Sequence, residues 1–226
     1  MQQLILPIKS TEITADYKNE MYRKSWGFHH YGWDLIDKNK SDRSVTALGN
    51  GMVIAAGLDG SNTSQRLGYC IVIVYCDVKL LDGSIKDIVC RMFHFASINC
   101  KAGDAINKNI VIGQYGSTGA YSSGPHLHIE FDTDTKYPQY AFGISGSGNI
   151  IKKGNVDSTI DPKNVLCIGP SQTLSSQNIS SGWVKASSLD VAKIQQDGWN
   201  EYIEKLEAEN ADLRRRMAES RKLLEV

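Results

Sequence analysis

Between residues 40 and 132 the apolar residues come in short, closely spaced bursts, and none keeps a helical period over a useful length. Met52-Val53-Ile54-Ala55-Ala56 stops at Gly57 before a Gly/Ser/Asn-rich loop, which predicts a strand and its end. Cys70-Ile71-Val72-Ile73-Val74-Tyr75 is β-branched and almost wholly apolar, the pattern of a strand covered on both faces. Leu81-Asp82-Gly83-Ser84 places an Asp-Gly pair between two such runs and predicts a hairpin. Ile110-Val111-Ile112 leads into a glycine-punctuated stretch from Gly113 to Gly124, and His126-Leu127-His128-Ile129-Glu130-Phe131 reads as a further strand. This region is β-rich.

Beyond Asp161-Pro162 and Gly169-Pro170 the chain turns to Ser, Gln and Asn, too little apolar surface to pack alone, which predicts a linker. Ser187 or Ser188 can then cap a helix, with Asp190 in its first turn and Gly198 as a break or kink. Past Gly198 a heptad emerges, with Ile203, Asn210 and Met217 at a and Leu206 and Leu213 at d. An Asn at a fixes register in a parallel pair, and Glu209 would face Arg214 of the partner. Arg216 and Arg221 would oppose one another. The sequence favours a dimer or assembly contact through this coil; the competing arrangement is an amphipathic helix folded back onto its own domain. The expected division is therefore a domain over 1–168, a linker over 169–186 and a helix or short coiled coil over 187–226.

Composition narrows the function classes. Of 226 residues, 41% are hydrophobic and 22% charged, ordinary values for a globular chain. Lys+Arg and Asp+Glu balance at 25 each, which argues against nucleic-acid binding through bulk positive charge. The five cysteines show no CxxC spacing and read as reduced thiols. No run approaches the roughly 18 apolar residues of a membrane span. The start, MQQLILPIKSTE, lacks the charged lead and long apolar run of a secretory signal, so synthesis in the cytoplasm is expected.

The candidate chemistry lies in five histidines: His29, His30, His94, His126 and His128. His30 and Asp34 are both common zinc-ligand types, yet on a straight strand they would stand about 13 Å apart. A bend is required, and Gly32 between them permits it. His126 and His128 share one side of a strand, about 7 Å apart, so one can ligate a metal while the other stays near a bound water. His94, inside Cys90-Arg91-Met92-Phe93-His94-Phe95, reads by itself as a core histidine.

Taken together and in order, these motifs resemble the lysostaphin/LytM-type zinc endopeptidases of bacterial cell walls over roughly residues 28 to 132. The resemblance rests on HxGxD at His30, Gly32 and Asp34, Ala47 to Val53, the isolated His94, the Gly103-Asp104 turn, Ile112 to Gly119, and Gly124-Pro125-His126-Leu127-His128-Ile129-Glu130. It implies a mainly β fold, an antiparallel β-sheet groove of the duplicated-hybrid or barrel-sandwich type. It also implies one Zn2+ per chain held by His30, Asp34 and His128, with His94 and His126 as catalytic histidines whose division of labour stays open. Glu130 would support a ligand imidazole, and Tyr137 and Tyr140, with Phe142, would line the groove or simply pack. His29 has no family role. Asn109 replaces a usual Gly, and Phe93 and Phe95 flank His94 where smaller residues are usual.

The function implied is hydrolysis of peptide bonds in peptidoglycan, as a phage or prophage lysin or tail-associated hydrolase released by a lysis system or delivered by a particle. The alternatives are a non-catalytic wall-binding or regulatory module on the same fold, and an assembly protein in which the coil is the main element.

Overall fold

The computed structural model describes residues 1–59, 66–140, 142–144 and 157–176. Along the first part run β1 (Leu4–Ile5), β2 (Ser10–Ala15), α1 (Glu20–Trp26), β3 (Gly32–Asp37), β4 (Ser44–Thr46) and β5 (Gly51–Leu58). Then follow β6 (Tyr69–Lys79), β7 (Ile85–Ile98), β8 (Ala105–Ile106), β9 (Val111–Tyr115) and β10 (Leu127–Asp132). The last are β11 (Thr159–Ile160), β12 (Leu166–Cys167) and β13 (Thr173–Ser176). One large sheet has the order β13-β2-β3-β10-β7-β6-β5-β8, with β11 on β10, β9 on β7 and β4 on β9. Among the described residues, no helix is long and apolar enough to cross a membrane.

The Asp-Gly hairpin joins β6 to β7, the longest pair in the sheet. Gly83 sits at φ +85°, and Asp82 Oδ1 accepts from the Ser84 N–H at 2.9 Å, closing the turn. β6 is apolar on both sides because it faces two cores. Ile71, Ile73 and Tyr75 join the larger cluster with Leu35, Phe95 and Ile129, while Cys70 and Val72 pack with Ala55, Val89 and Phe93 on the other face. Asn109 stands at φ +70°, a left-handed turn that Asn tolerates better than most residues.

Three features depart from the sequence reading. The sheet is mixed: pairing is antiparallel around β3, β5, β6, β7 and β10 but parallel between β13 and β2, and β1 and β12 form a separate parallel pair. The expected linker begins inside the sheet, since Thr173–Ser176 pair with Ser10, Thr11, Glu12 and Ile13. Backbone pairing alone admits a segment whose side chains are too polar to predict a strand. The third departure is α1, started by Asn19, whose Oδ1 accepts from the Tyr22 N–H, and stopped by Gly27 at φ +80°. The coil expected over 187–226 lies outside the described residues.

At Gly32 the backbone of β3 lies close against that of its neighbour β10. A Cβ built on Gly32 would lie 2.1 Å from the Ile129 carbonyl oxygen, a backbone atom that cannot step aside. Gly32→Ala should therefore push β3 off β10. We expect a loss of roughly 3 kcal/mol, a fall of about 10 °C in thermal midpoint by circular dichroism. An unchanged midpoint would show that the two strands have slack.

Candidate metal centre

The pairing of β3 with β10 sets Asp34 directly opposite His128. His30 stands just before β3, where the chain turns inward and its imidazole reaches back to Asp34. His30 Nε2 lies 3.1 Å from Asp34 Oδ1 and 3.0 Å from His128 Nδ1, and His128 Nδ1 lies 2.8 Å from Asp34 Oδ1. The bend demanded by the sequence is thus made between His30 and Gly32, and the three donor atoms all lie within 4.8 Å of one another.

The outward nitrogens of the two imidazoles are tied down. His30 Nδ1–H donates to the Asp16 carbonyl at 2.7 Å, and His128 Nε2–H donates to Glu130 Oε1 at 3.1 Å. Each inward nitrogen then offers a lone pair, and the two lone pairs meet a carboxylate at 3 Å. Only a cation, a proton or a metal ion, can reconcile the three. Tetrahedral zinc at ordinary bond lengths sets its ligand atoms about 3.3 Å apart, close to the observed spacings. The donor set therefore fits zinc: two imidazole nitrogens, one carboxylate oxygen, and a side left for a further ligand.

Metal-free, the same geometry holds a proton. Burial alone would lower the His128 pKa, but its bonds to Asp34 and Glu130 outweigh this and raise it to about 9. Burial raises Asp34, yet the bonds from His128 and His30 hold its carboxyl well below the usual range. Glu130 is likewise pushed up by burial but brought down to about 2, first by the Arg91 charge and then by His128.

His94 and His126 flank this group with ring centroids 4.8 Å apart, and His94 lies 6.3 Å from the His128 ring. Both present Nε2 inward, because His94 Nδ1–H donates to the Thr118 carbonyl and His126 Nδ1–H to the Gly124 carbonyl, each at 2.8 Å. His126 Nε2 comes within 3.5 Å of Asp34 Oδ1. His94 adopts φ +68°, a strained backbone for a non-glycine residue. Its N–H on Leu67 and its carbonyl under the Gly116 N–H hold it there. Burial, then the neighbouring His126 and His128, lower its pKa to about 3.

Residues 28–139 match peptidase family M23, a span that contains all five of these side chains and Glu130. The domain belongs to that family. No curated protein matches the chain. Among solved structures, this chain is similar to the catalytic domain of lysostaphin from Staphylococcus simulans, at 24% identity over 61% of this chain and 78% of that one, with a TM-score of 0.40. It is also similar to the prophage-encoded M23 protein EnpA from Enterococcus faecalis, at 22% identity over 59% and 88% of the two chains, with a TM-score of 0.42. A chain of the SpoIIQ–SpoIIIAH pore-forming complex shares 22% identity over 59% and 85%, with a TM-score of 0.46.

In this M23 domain the donor group stands between two hollows. On one side Tyr22, Phe28, Tyr121 and Phe93 join His30, His94 and His128 around a space of about 80 Å³. On the other, Lys40, Arg43, Tyr115 and Pro125 join Asp34 and His126 around about 460 Å³. Tyr137 and Tyr140 line neither of these two hollows. Asp134 Oδ1 draws the Tyr137 N–H into a turn, and Tyr140 lies over Arg91, 5.4 Å from ring centroid to guanidinium. The aromatic wall is instead built by Tyr22, 4.4 Å from the His30 ring, and Tyr121, 5.4 Å from Phe28. Phe93 stacks on His128 at 5.3 Å and 6°, and Phe142 meets Phe93 edge-on at 5.1 Å, so the unusual phenylalanine braces a candidate ligand. His29 lines the aromatic hollow but does not join the donor group.

Proposed function

We propose that this M23 domain is a zinc-dependent endopeptidase that hydrolyses peptide bonds in bacterial peptidoglycan. The observation that carries the reading is the convergence of His30 Nε2, Asp34 Oδ1 and His128 Nδ1 beside two further imidazoles with inward Nε2 atoms. In it, His30, Asp34 and His128 hold the metal. Bound there, zinc supplies Lewis acidity, bringing the pKa of a water towards 7 and polarising a carbonyl.

His94 and His126 carry the protons. With its Nδ1–H committed to the Thr118 carbonyl, His94 keeps the Nε2 lone pair turned inward to accept one. The same imidazole can then hand that proton to a departing amine. His126, with Nε2 beside Asp34, steadies charge as it develops on the carbonyl oxygen once it is itself protonated. Hollows on both sides of the donor group let an extended peptide pass over it, with aromatic faces on one side and cations on the other. The segment over 187–226 would act beside this domain as a dimer or assembly contact.

The test is restoration by metal. Clearing of a suspension of purified sacculi should stop with a chelator and return on adding one equivalent of zinc per chain. Clearing that a chelator leaves untouched would overturn the zinc reading. Zinc binding with no clearing of any wall would favour a wall-binding module instead.

A further inference from the structure

Arg91 is fully buried at the middle of β7, 0% exposed, and lines neither hollow. A guanidinium taken out of water is expensive unless its hydrogen bonds are met. The register of β7 with β10 puts it directly opposite Glu130. Arg91 Nε donates to Glu130 Oε2 at 2.9 Å, and Nη1 donates to Asp132 Oδ2 at 3.0 Å and to the Pro138 carbonyl at 3.3 Å. Nη2 is buried without a hydrogen-bond partner among the described residues. Asp132 is itself fully buried, so the guanidinium is gripped from two sides.

Glu130 is the link outward. With Oε2 fixed by Arg91, its other oxygen can point only where the carboxylate plane allows, and Oε1 meets His128 Nε2 at 3.1 Å. A continuous line therefore runs from Asp132 through Arg91 and Glu130 to an imidazole of the donor group. Without Arg91 the Glu130 carboxylate could swing away. His128 would lose the acceptor that keeps its proton on Nε2 and its Nδ1 lone pair turned to Asp34 and His30.

We propose that Arg91 is a positioning residue for the metal centre, setting zinc affinity by pinning Glu130 and, through it, the orientation of His128. This rests on the zinc reading above. The competing explanation is a core ion pair that stabilises the sheet with no bearing on the donors, a role an apolar side chain of similar volume can often fill.

A double-mutant cycle on the full chain separates the two, with zinc dissociation constants from competition against a chromophoric chelator. Arg91→Met should weaken zinc binding 10- to 100-fold while the metal-free protein keeps the wild-type circular dichroism spectrum. Glu130→Ala should weaken it comparably, and adding Arg91→Met to Glu130→Ala should change the constant by less than about twofold. Wild-type affinity in folded Arg91→Met, or losses that multiply in the double variant, overturns the proposal. Should Arg91→Met not fold, Arg91→Lys serves: one ammonium cannot bridge both carboxylates, so binding should still weaken about fivefold. Wild-type affinity in folded Arg91→Lys overturns it as well. A wild-type chain that binds no zinc overturns the metal reading itself, and the Arg91 proposal with it.

Discussion

His128→Ala should bind no zinc and release nothing from sacculi, whereas His126→Ala should keep its zinc and lose activity by two to three orders of magnitude. The two histidines are only two residues apart, but the structure gives them different surroundings. His128 Nδ1 touches both Asp34 and His30 at 3.0 Å or less, and its removal leaves two donors facing an empty third place. His126 reaches the same carboxylate only at 3.5 Å, and its Nδ1 is committed to Gly124, so the donor triad survives without it. The expected size of the His126 effect follows from the worth of a proton-transfer or charge-stabilising group. Metal content measured alongside peptide release decides the matter. Equal zinc in the two variants would show that the roles have been divided wrongly.

Much of this centre could be read from the chain, and the reasons are local. His30-x-Gly32-x-Asp34 and His126-Leu127-His128 announce themselves because five histidines fall into so few places. What spacing could not supply is the distance: His128 and Asp34 are 94 residues apart, and only the pairing of β3 with β10 sets them at 2.8 Å. The hairpin at Asp82-Gly83 was legible because its turn chemistry is local. α1 was not, since its seven residues make too short a window to establish a helical period. Nothing local marks Arg91, because its partners Glu130 and Asp132 lie 39 and 41 residues further on. Aromatic residues gave no clue to the wall, for Tyr137 and Tyr140 look as suitable in sequence as Tyr22 and Tyr121.

Zinc and a proton should compete for one place, and this is the second large effect. The metal-free His128 pKa is raised to about 9 because Asp34 and Glu130 outweigh burial, and an unfolded histidine titrates near 6.5. A raised folded pKa stabilises the metal-free protein fully below about pH 6.5, and that contribution is lost as pH rises through about 9. Below about pH 9 each zinc must displace one proton, so its dissociation constant should fall about tenfold per pH unit. From pH 6.5 to 8.5 the gain is about 100-fold. Calorimetry in buffers of different ionisation enthalpy should find about one proton released per zinc at pH 7.5. A pH-independent affinity with no proton release would mean that His128 already stands neutral in the metal-free domain.

The most direct test of the zinc endopeptidase reading is to incubate the purified chain with peptidoglycan sacculi, with and without a chelator, and analyse the soluble fragments by mass spectrometry. We expect new amino termini within the cross-bridge or stem peptides, absent when the chelator is present and restored by zinc. Their identity would name the bond that is cut. Intact peptides in sacculi of several cross-link types, from protein with one zinc bound per chain, would contradict the reading.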